Sequence, residues 1–277
     1  MSGDPRPIGV FDTGMGGLTV LSAMEAALPS ERFVYLGDTA RLPYGTKSAE
    51  TVQAYALQAT QLLLAAGVKM VVIACNTASA VALEALTEAL APVPVVGVIE
   101  PGARAGVAAT RNGRIAVIAT EGTVKGGAYA RAIHALDADI DVVQQPCQVF
   151  VALAEEGWTN SDVTATAAAH YLKPLFAGGD APDTLVLGCT HFPVLADAIR
   201  HAVGCGVRLV DSAATTAVAV RAALETSGMA GDGNGKGGAR FFATDAPERF
   251  ARVGAIFLGR RIDAADVTLV DLRPQRS

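Results

Sequence analysis

Val71-Val72-Ile73-Ala74-Cys75-Asn76-Thr77 and Leu185-Val186-Leu187-Gly188-Cys189-Thr190-His191 share one layout: three strand-forming residues, a small residue, a cysteine, then polar side chains. A second pair, Ile8-Gly9-Val10-Phe11-Asp12-Thr13 and Ile115-Ala116-Val117-Ile118-Ala119-Thr120, repeats another strand ending in a polar turn. Short β-branched runs followed by polar turns and then Ala/Leu stretches of helical period are the pattern of α/β folds with parallel sheets. Two such units in one chain predict two related α/β halves. Strand-loop-helix junctions also share composition by chance, so the repeat needs a structural counterpart before it carries weight.

Working outward, strands are expected at Ile8–Phe11, Phe33–Leu36, Met70–Ile73, Val95–Val98, Ile115–Ile118, Asp141–Gln144, Thr184–Leu187, Val207–Val210 and Arg240–Ala243. Between them, apolar residues at three- and four-residue steps predict helices. Among these are Leu18–Ala27, Ala78–Leu90, Gly126–Leu136, Gln148–Glu156, Val194–Ala202 and Pro247–Leu258. The glycine-dense stretch Gly228–Gly238 cannot pack a core and reads as a loop, and the polar tail Leu272–Ser277 reads as frayed.

The 277 residues are 51% hydrophobic and 18% charged, enough to bury a large core. The net charge of −5 is spread without a basic cluster, which argues against nucleic acid and for a small-molecule partner. No apolar run is long enough for a membrane span, and Met1–Pro7 has no apolar signal core, so a cytoplasmic protein is expected. The four cysteines form no C-x-x-C pair and have no histidine at zinc-ligand spacing, so no metal is expected. Cys147 and Cys205 read as small buried hydrophobes.

Ligands of open parallel sheets sit beyond the carboxyl ends of the strands. Asp12-Thr13-Gly14, Pro43-Tyr44-Gly45, Cys75-Asn76-Thr77 and Cys189-Thr190-His191 all fall at such ends. Each of Cys75 and Cys189 precedes an expected helix, whose N-terminal dipole favours thiolate. Asn76, Thr77, Thr190 and His191 supply donors suited to a carboxylate, and Asp12 suits an ammonium group. The Gly14-x-Gly16 loop only partly matches a dinucleotide fingerprint, since Thr19 stands at its third glycine. Two thiols of near-neutral acidity on opposite sides of an α-carbon suit racemisation, and no pyridoxal-binding lysine motif is present, so no cofactor is expected.

At these residues the chain resembles the glutamate racemases of the aspartate/glutamate racemase superfamily. The resemblance runs from Ile8 to Leu258 through Phe11-Asp12-Thr13-Gly14-x-Gly16-Gly17, Gly37-Asp38-x-x-x-x-Pro43-Tyr44-Gly45, Ala74-Cys75-Asn76-Thr77-Ala78-Ser79 and Leu187-Gly188-Cys189-Thr190-His191-Phe192-Pro193. It implies two pseudo-symmetric open-sheet α/β lobes with the active site between them, residues 1–98 plus 211–277 forming one and 99–210 the other. It implies that Cys189 exchanges a proton with L-glutamate and Cys75 with D-glutamate. Asp12, His191 and an acidic residue of the Leu-x-Glu-x-Gly stretch, Glu155 or Glu156, would assist them. Asp12, Thr13, Tyr44, Gly45, Asn76, Thr77, Thr123, Thr190 and His191 would contact substrate. It further implies a homodimer, supply of D-glutamate for peptidoglycan and, for some relatives, contact with DNA gyrase. Two departures stand out: Thr13 replaces the usual Ser, and Pro146-Cys147-Gln148 alters the usual Cys-Pro order. The short N-terminus implies activity without a peptidoglycan-precursor activator. Aspartate racemisation is the nearest alternative chemistry.

Overall fold

The computed structural model describes residues 3–231 and 237–272, so the middle of the glycine-dense stretch and the end of the polar tail lie outside the described residues. The chain opens with β1 (Ile8–Asp12), α1 (Leu18–Ala27), β2 (Arg32–Gly37), α2 (Ala49–Ala65), β3 (Met70–Ile73), α3 (Asn76–Ala89), β4 (Val95–Gly97) and α4 (Ile99–Ala109). It continues through β5 (Arg114–Ala119), α5 (Glu121–Gly126), α6 (Ala128–Leu136), β6 (Asp141–Pro146), α7 (Gln148–Glu155), α8 (Asp162–Leu172) and β7 (Thr184–Gly188). The last part holds α9 (Ala196–Val203), β8 (Arg208–Asp211), α10 (Ser212–Ser227), β9 (Gly238–Ala243), α11 (Pro247–Leu258) and β10 (Val267–Leu269).

These strands form two sheets, ordered β10-β9-β2-β1-β3-β4 and β6-β5-β7-β8, and every pairing is parallel. The segment β2-β1-β3-β4 and the whole second sheet have the same order and the same path: start inside, step one way, cross back, step the other. The sequence repeats sit on equivalent strands, because Phe11 pairs with Ile73 as Ile118 pairs with Leu187. β1, β3 and β7 are buried along their full length, as strands covered by helices on both faces must be, which is why they read as continuous apolar runs. One apolar core runs through both lobes, from Val10 and Met70 to Ile115 and Leu187. Helix α10 bridges them by packing on α1 of one and α4 of the other.

Local chemistry sets the helix ends. Ser48 and Ser161 cap α2 and α8 by accepting the Thr51 and Thr164 amides at 3.3 and 3.2 Å. The helix expected over Gly126–Leu136 is corrected: Gly127, in the left-handed region at φ 62°, ends α5, and α6 starts at Ala128. The Val194–Ala202 helix is preceded by a 3-10 turn, Phe192–Leu195, so α9 starts only at Ala196. The short edge strand β10 was not expected; it pairs only with β9. Cys205 is exposed in the turn after α9 and is not a core residue.

At the amino ends of the first sheet's strands lies a buried cation. Lys69, fully buried, places Nζ 2.6 Å from Glu31 Oε2 and donates to the carbonyls of Asp4 and Met229 at 3.0 and 2.8 Å. Glu31 also accepts the Gly231 amide at 2.7 Å. The pair ties the N-terminal segment and the start of the loop after α10 to the sheet. Among the described residues no helix is long and apolar enough to cross a membrane.

Candidate active site

Parallel order reverses between β1 and β3 in the first sheet and between β5 and β7 in the second, and such switch points open a crevice at the carboxyl ends. Here the two crevices face one cavity. Its wall holds Cys75 and Cys189 together with Thr13, Tyr44, Gly45, Asn76, Thr77, Glu155, Thr190 and His191. Asp12 and Thr123, also expected at the site, stand behind that wall.

Cys75 is the N-cap of α3, and its Sγ accepts the Ala78 amide at 3.4 Å. Helix N-termini favour thiolate, but here burial wins: with the Asp12 charge added, the thiol pKa is pushed up to about 12 against the help of Ala78 and the Thr13 hydroxyl. The helix end, which favours thiolate, is thus opposed at Cys75 by burial and by the Asp12 charge, which favour the thiol. Asp12 Oδ2 accepts the Gly14 amide at 3.0 Å and the Tyr35 hydroxyl at 3.3 Å, which fixes the carboxylate behind the glycine turn.

The Cys189 surroundings are not the copy that the repeat suggested. With a 3-10 turn in place of an immediate helix, Cys189 caps nothing; its Sγ lies 3.8 Å from His191 Nδ1. The other ring nitrogen, Nε2, is 3.2 Å from Glu155 Oε1, and Arg249 Nη2 donates to Glu155 Oε2 at 2.8 Å. Burial works to lower the His191 pKa, but the bonds and charges of Cys189 and Glu155 reverse it, to about 10. Burial likewise works to raise Glu155, and His191 and Arg249 together hold it below the usual carboxylate range. These bonds favour the imidazolium form of His191. Glu156 is exposed at the end of α7, so Glu155 is the acidic residue at the site.

His191 is confined on its other sides by the opposite lobe. A Cβ on Gly16 would stand 2.4 Å from the ring and 2.6 Å from Thr190 Oγ1, so only glycine permits this approach. Thr19 donates to the Thr190 carbonyl at 3.0 Å, and Phe257 of α11 meets the imidazole edge-on at 4.9 Å.

Hydroxyls and amides complete the cavity. Thr77 lies 3.0 Å from Thr120 and 3.3 Å from Thr123, and those two lie 3.0 Å apart, a triangle that holds the Thr77 hydroxyl at the wall. Asn76 donates to the Tyr129 hydroxyl at 2.8 Å, leaving its Oδ1 buried without a partner among the described residues. The Tyr44 hydroxyl donates to Asp38 Oδ2, so that side chain supplies its ring and backbone to the cavity rather than its oxygen.

Sequence reasoning missed Leu42, Thr120, Gln148 and Val151 in the wall. The internal repeat pairs Thr13 with Thr120 and so contained the signal for one of them. Gln148 and Val151 lie three and then four residues apart on the face of α7 that carries Glu155, a helical spacing that marks all three together.

Two thiols at equivalent strand ends, one beside a carboxylate and one beside an imidazolium, can act as opposed proton carriers. The pattern of the Asp/Glu/hydantoin racemase family matches residues 8–220. The glutamate racemase of Geobacter metallireducens is 48% identical over 271 residues, covering 98% of both chains. A glutamate racemase isoform from Bacillus anthracis superposes with a TM-score of 0.90 at 38% identity, covering 96% of this chain and 98% of its own. The Francisella tularensis glutamate racemase, solved in complex with D-glutamate, superposes with a TM-score of 0.89 at 35% identity, covering 97% and 98%. From the strand order, the paired cysteines and these likenesses together, the chain belongs to the Asp/Glu/hydantoin racemase family.

Proposed function

We propose that this chain interconverts L- and D-glutamate by proton transfer between Cys75 and Cys189, without a cofactor, and that it supplies D-glutamate for peptidoglycan. The observation that carries the reading is the convergence of two thiols, from equivalent strands of two lobes, on one cavity. The names of the full-length relatives support glutamate as the substrate.

One sulfur, as thiolate, takes the α-proton; the electron pair left on the α-carbon delocalises into the α-carboxylate. The opposite thiol then delivers its proton to the other face, and the two sulfurs have exchanged states. The dianionic enediolate is the costly species, and fixed donors in a water-poor site stabilise it best. Asn76, Thr77 and Thr190 occupy the positions for this. The substrate ammonium beside Asp12 would offset the carboxylate charge that raises Cys75, which makes its thiolate easier to form once glutamate is bound. His191, whose imidazolium form Cys189 and Glu155 favour, sits where a sulfur anion forms during turnover.

The test is incubation of the reduced protein with L-glutamate in D2O, following optical rotation and α-deuterium by NMR. Both should change together, with aspartate left untouched. Turnover of aspartate in place of glutamate would overturn the substrate, and turnover of neither would overturn the reading.

A smaller change probes the same site. Gly16→Ala places a methyl group against the His191 ring, so the imidazole must shift or the lobes must part. Turnover of glutamate should fall by about a hundredfold, as misplacement of a reacting group by about 1 Å commonly costs. Stability should fall by only about 1–3 kcal/mol. Steady-state kinetics and urea unfolding of the same preparation separate the two effects.

A further inference from the structure

Helix α11 belongs to the first lobe, packing on α1 and β10, yet three of its side chains reach the second. Ile256 lies where a Cβ on Gly157 would meet it at 3.3 Å, Phe257 abuts His191, and Arg249 pairs with Glu155. Neither the two-thiol scheme nor the sequence motifs use Arg249. Its side chain is 42% exposed, whereas the Glu155 side chain it holds is 16% exposed. A carboxylate at the end of a helix, with water on one side, has other rotamers open to it. Glu155 keeps the one that aims Oε1 at His191 because its second oxygen is occupied by Arg249. The result is an unbroken chain from Arg249 through Glu155 and His191 to Cys189, crossing from one lobe to the other.

Resting on the glutamate racemase reading, we propose that Arg249 is a positioning residue for the Cys189 half of the site: from the opposite lobe it clamps Glu155, and through it fixes the His191 ring against the Cys189 sulfur. Around Cys75 the carboxylate and its partners, Asp12, Gly14 and Tyr35, come from the thiol's own lobe, and the contacts across the lobes are made by the neighbouring Asn76 and Thr77. At the cavity both sulfurs are buried, Cys75 6% and Cys189 5% exposed, so small shifts of their neighbours decide their geometry.

The experiment compares Arg249→Gln, Arg249→Lys and, as control, Arg260→Gln, which breaks an ion pair of the same 2.8 Å length to Glu25 within one lobe. Turnover is measured with α-deuterated L- and D-glutamate, and the ring nitrogens of His191 are followed by 15N NMR. Arg249→Gln should lower turnover about fivefold to twentyfold and raise the deuterium isotope effect for the enantiomer that Cys189 deprotonates, not for the other. Arg249→Lys should recover most of the loss, and Arg260→Gln should match the wild type. The His191 nitrogen signals should move in Arg249→Gln only. Isotope effects that change alike for both enantiomers, or a loss that lysine does not restore, would overturn the proposal. If the wild type does not racemise glutamate, the functional reading fails by itself, and the NMR arm still decides: unmoved His191 signals in Arg249→Gln reject the clamp.

Discussion

Cys75→Ser and Cys189→Ser should each lower glutamate racemisation by at least about a thousandfold, within the range attributed to a positioned general acid or base. Serine keeps nearly the shape of cysteine, but its hydroxyl is a far weaker acid, so a loss of this size with unchanged folding points to proton transfer rather than packing. The two variants should differ in a second observable. Each retains one thiol on one face, and that thiol can still remove an α-proton, exchange it with solvent and return it to the same face. In D2O, Cys189→Ser should therefore wash deuterium into only the enantiomer that presents its α-hydrogen to Cys75, without inversion, and Cys75→Ser should do the reverse. Chiral chromatography with mass detection reads both outcomes. Unchanged racemisation in either variant would refute the two-thiol scheme.

The largest effect on stability is expected at the other end of the first sheet. Lys69→Met removes the fully buried ammonium that neutralises Glu31 and satisfies the Asp4 and Met229 carbonyls. Breaking one side of a buried ion pair leaves an uncompensated charge, at a cost of about 3–5 kcal/mol. That is a large share of the roughly 5–15 kcal/mol by which folded domains are stable. The urea midpoint should fall accordingly. Adding Glu31→Leu should recover part of the loss, because an apolar pair of similar volume removes the orphaned charge. Recovery stays incomplete since Gly231 then loses its acceptor. Turnover at a temperature where both proteins are folded should be unchanged, as Lys69 precedes β3 while the cavity lies beyond its carboxyl end.

Much of this architecture was legible in the sequence because parallel strands covered on both faces leave an unmistakable apolar trace. Met70–Ile73 and the helices Leu18–Ala27 and Pro247–Leu258 appear with the bounds expected of them. The lapses have local causes. Gly127 ends a helix through a left-handed backbone that helical periodicity does not register, and β10 is three residues long at a sheet edge, too short for a pattern. At the site, strand-end position found the cysteines and their neighbours, but it overstated their likeness. The acidity of Cys75 depends on burial and on the Asp12 charge, and Arg249 lies 94 residues from the Glu155 it holds. Neither is written in local spacing; both follow from how the lobes close on each other.

The unequal settings of the two thiols have a consequence for the energy profile. The enantiomers of glutamate have identical free energies in water, so the overall equilibrium constant is one, and the ratio kcat/KM must be the same for both directions whatever the protein does. A cavity with a carboxylate behind one sulfur and an imidazolium beside the other can nevertheless bind the mirror-image substrates with different strength. Any such preference must then be matched by a proportional difference in kcat: the enantiomer held more tightly is converted more slowly, and the handedness built into the site appears only in the separate constants, never in their ratio, which thermodynamics makes equal for the two enantiomers.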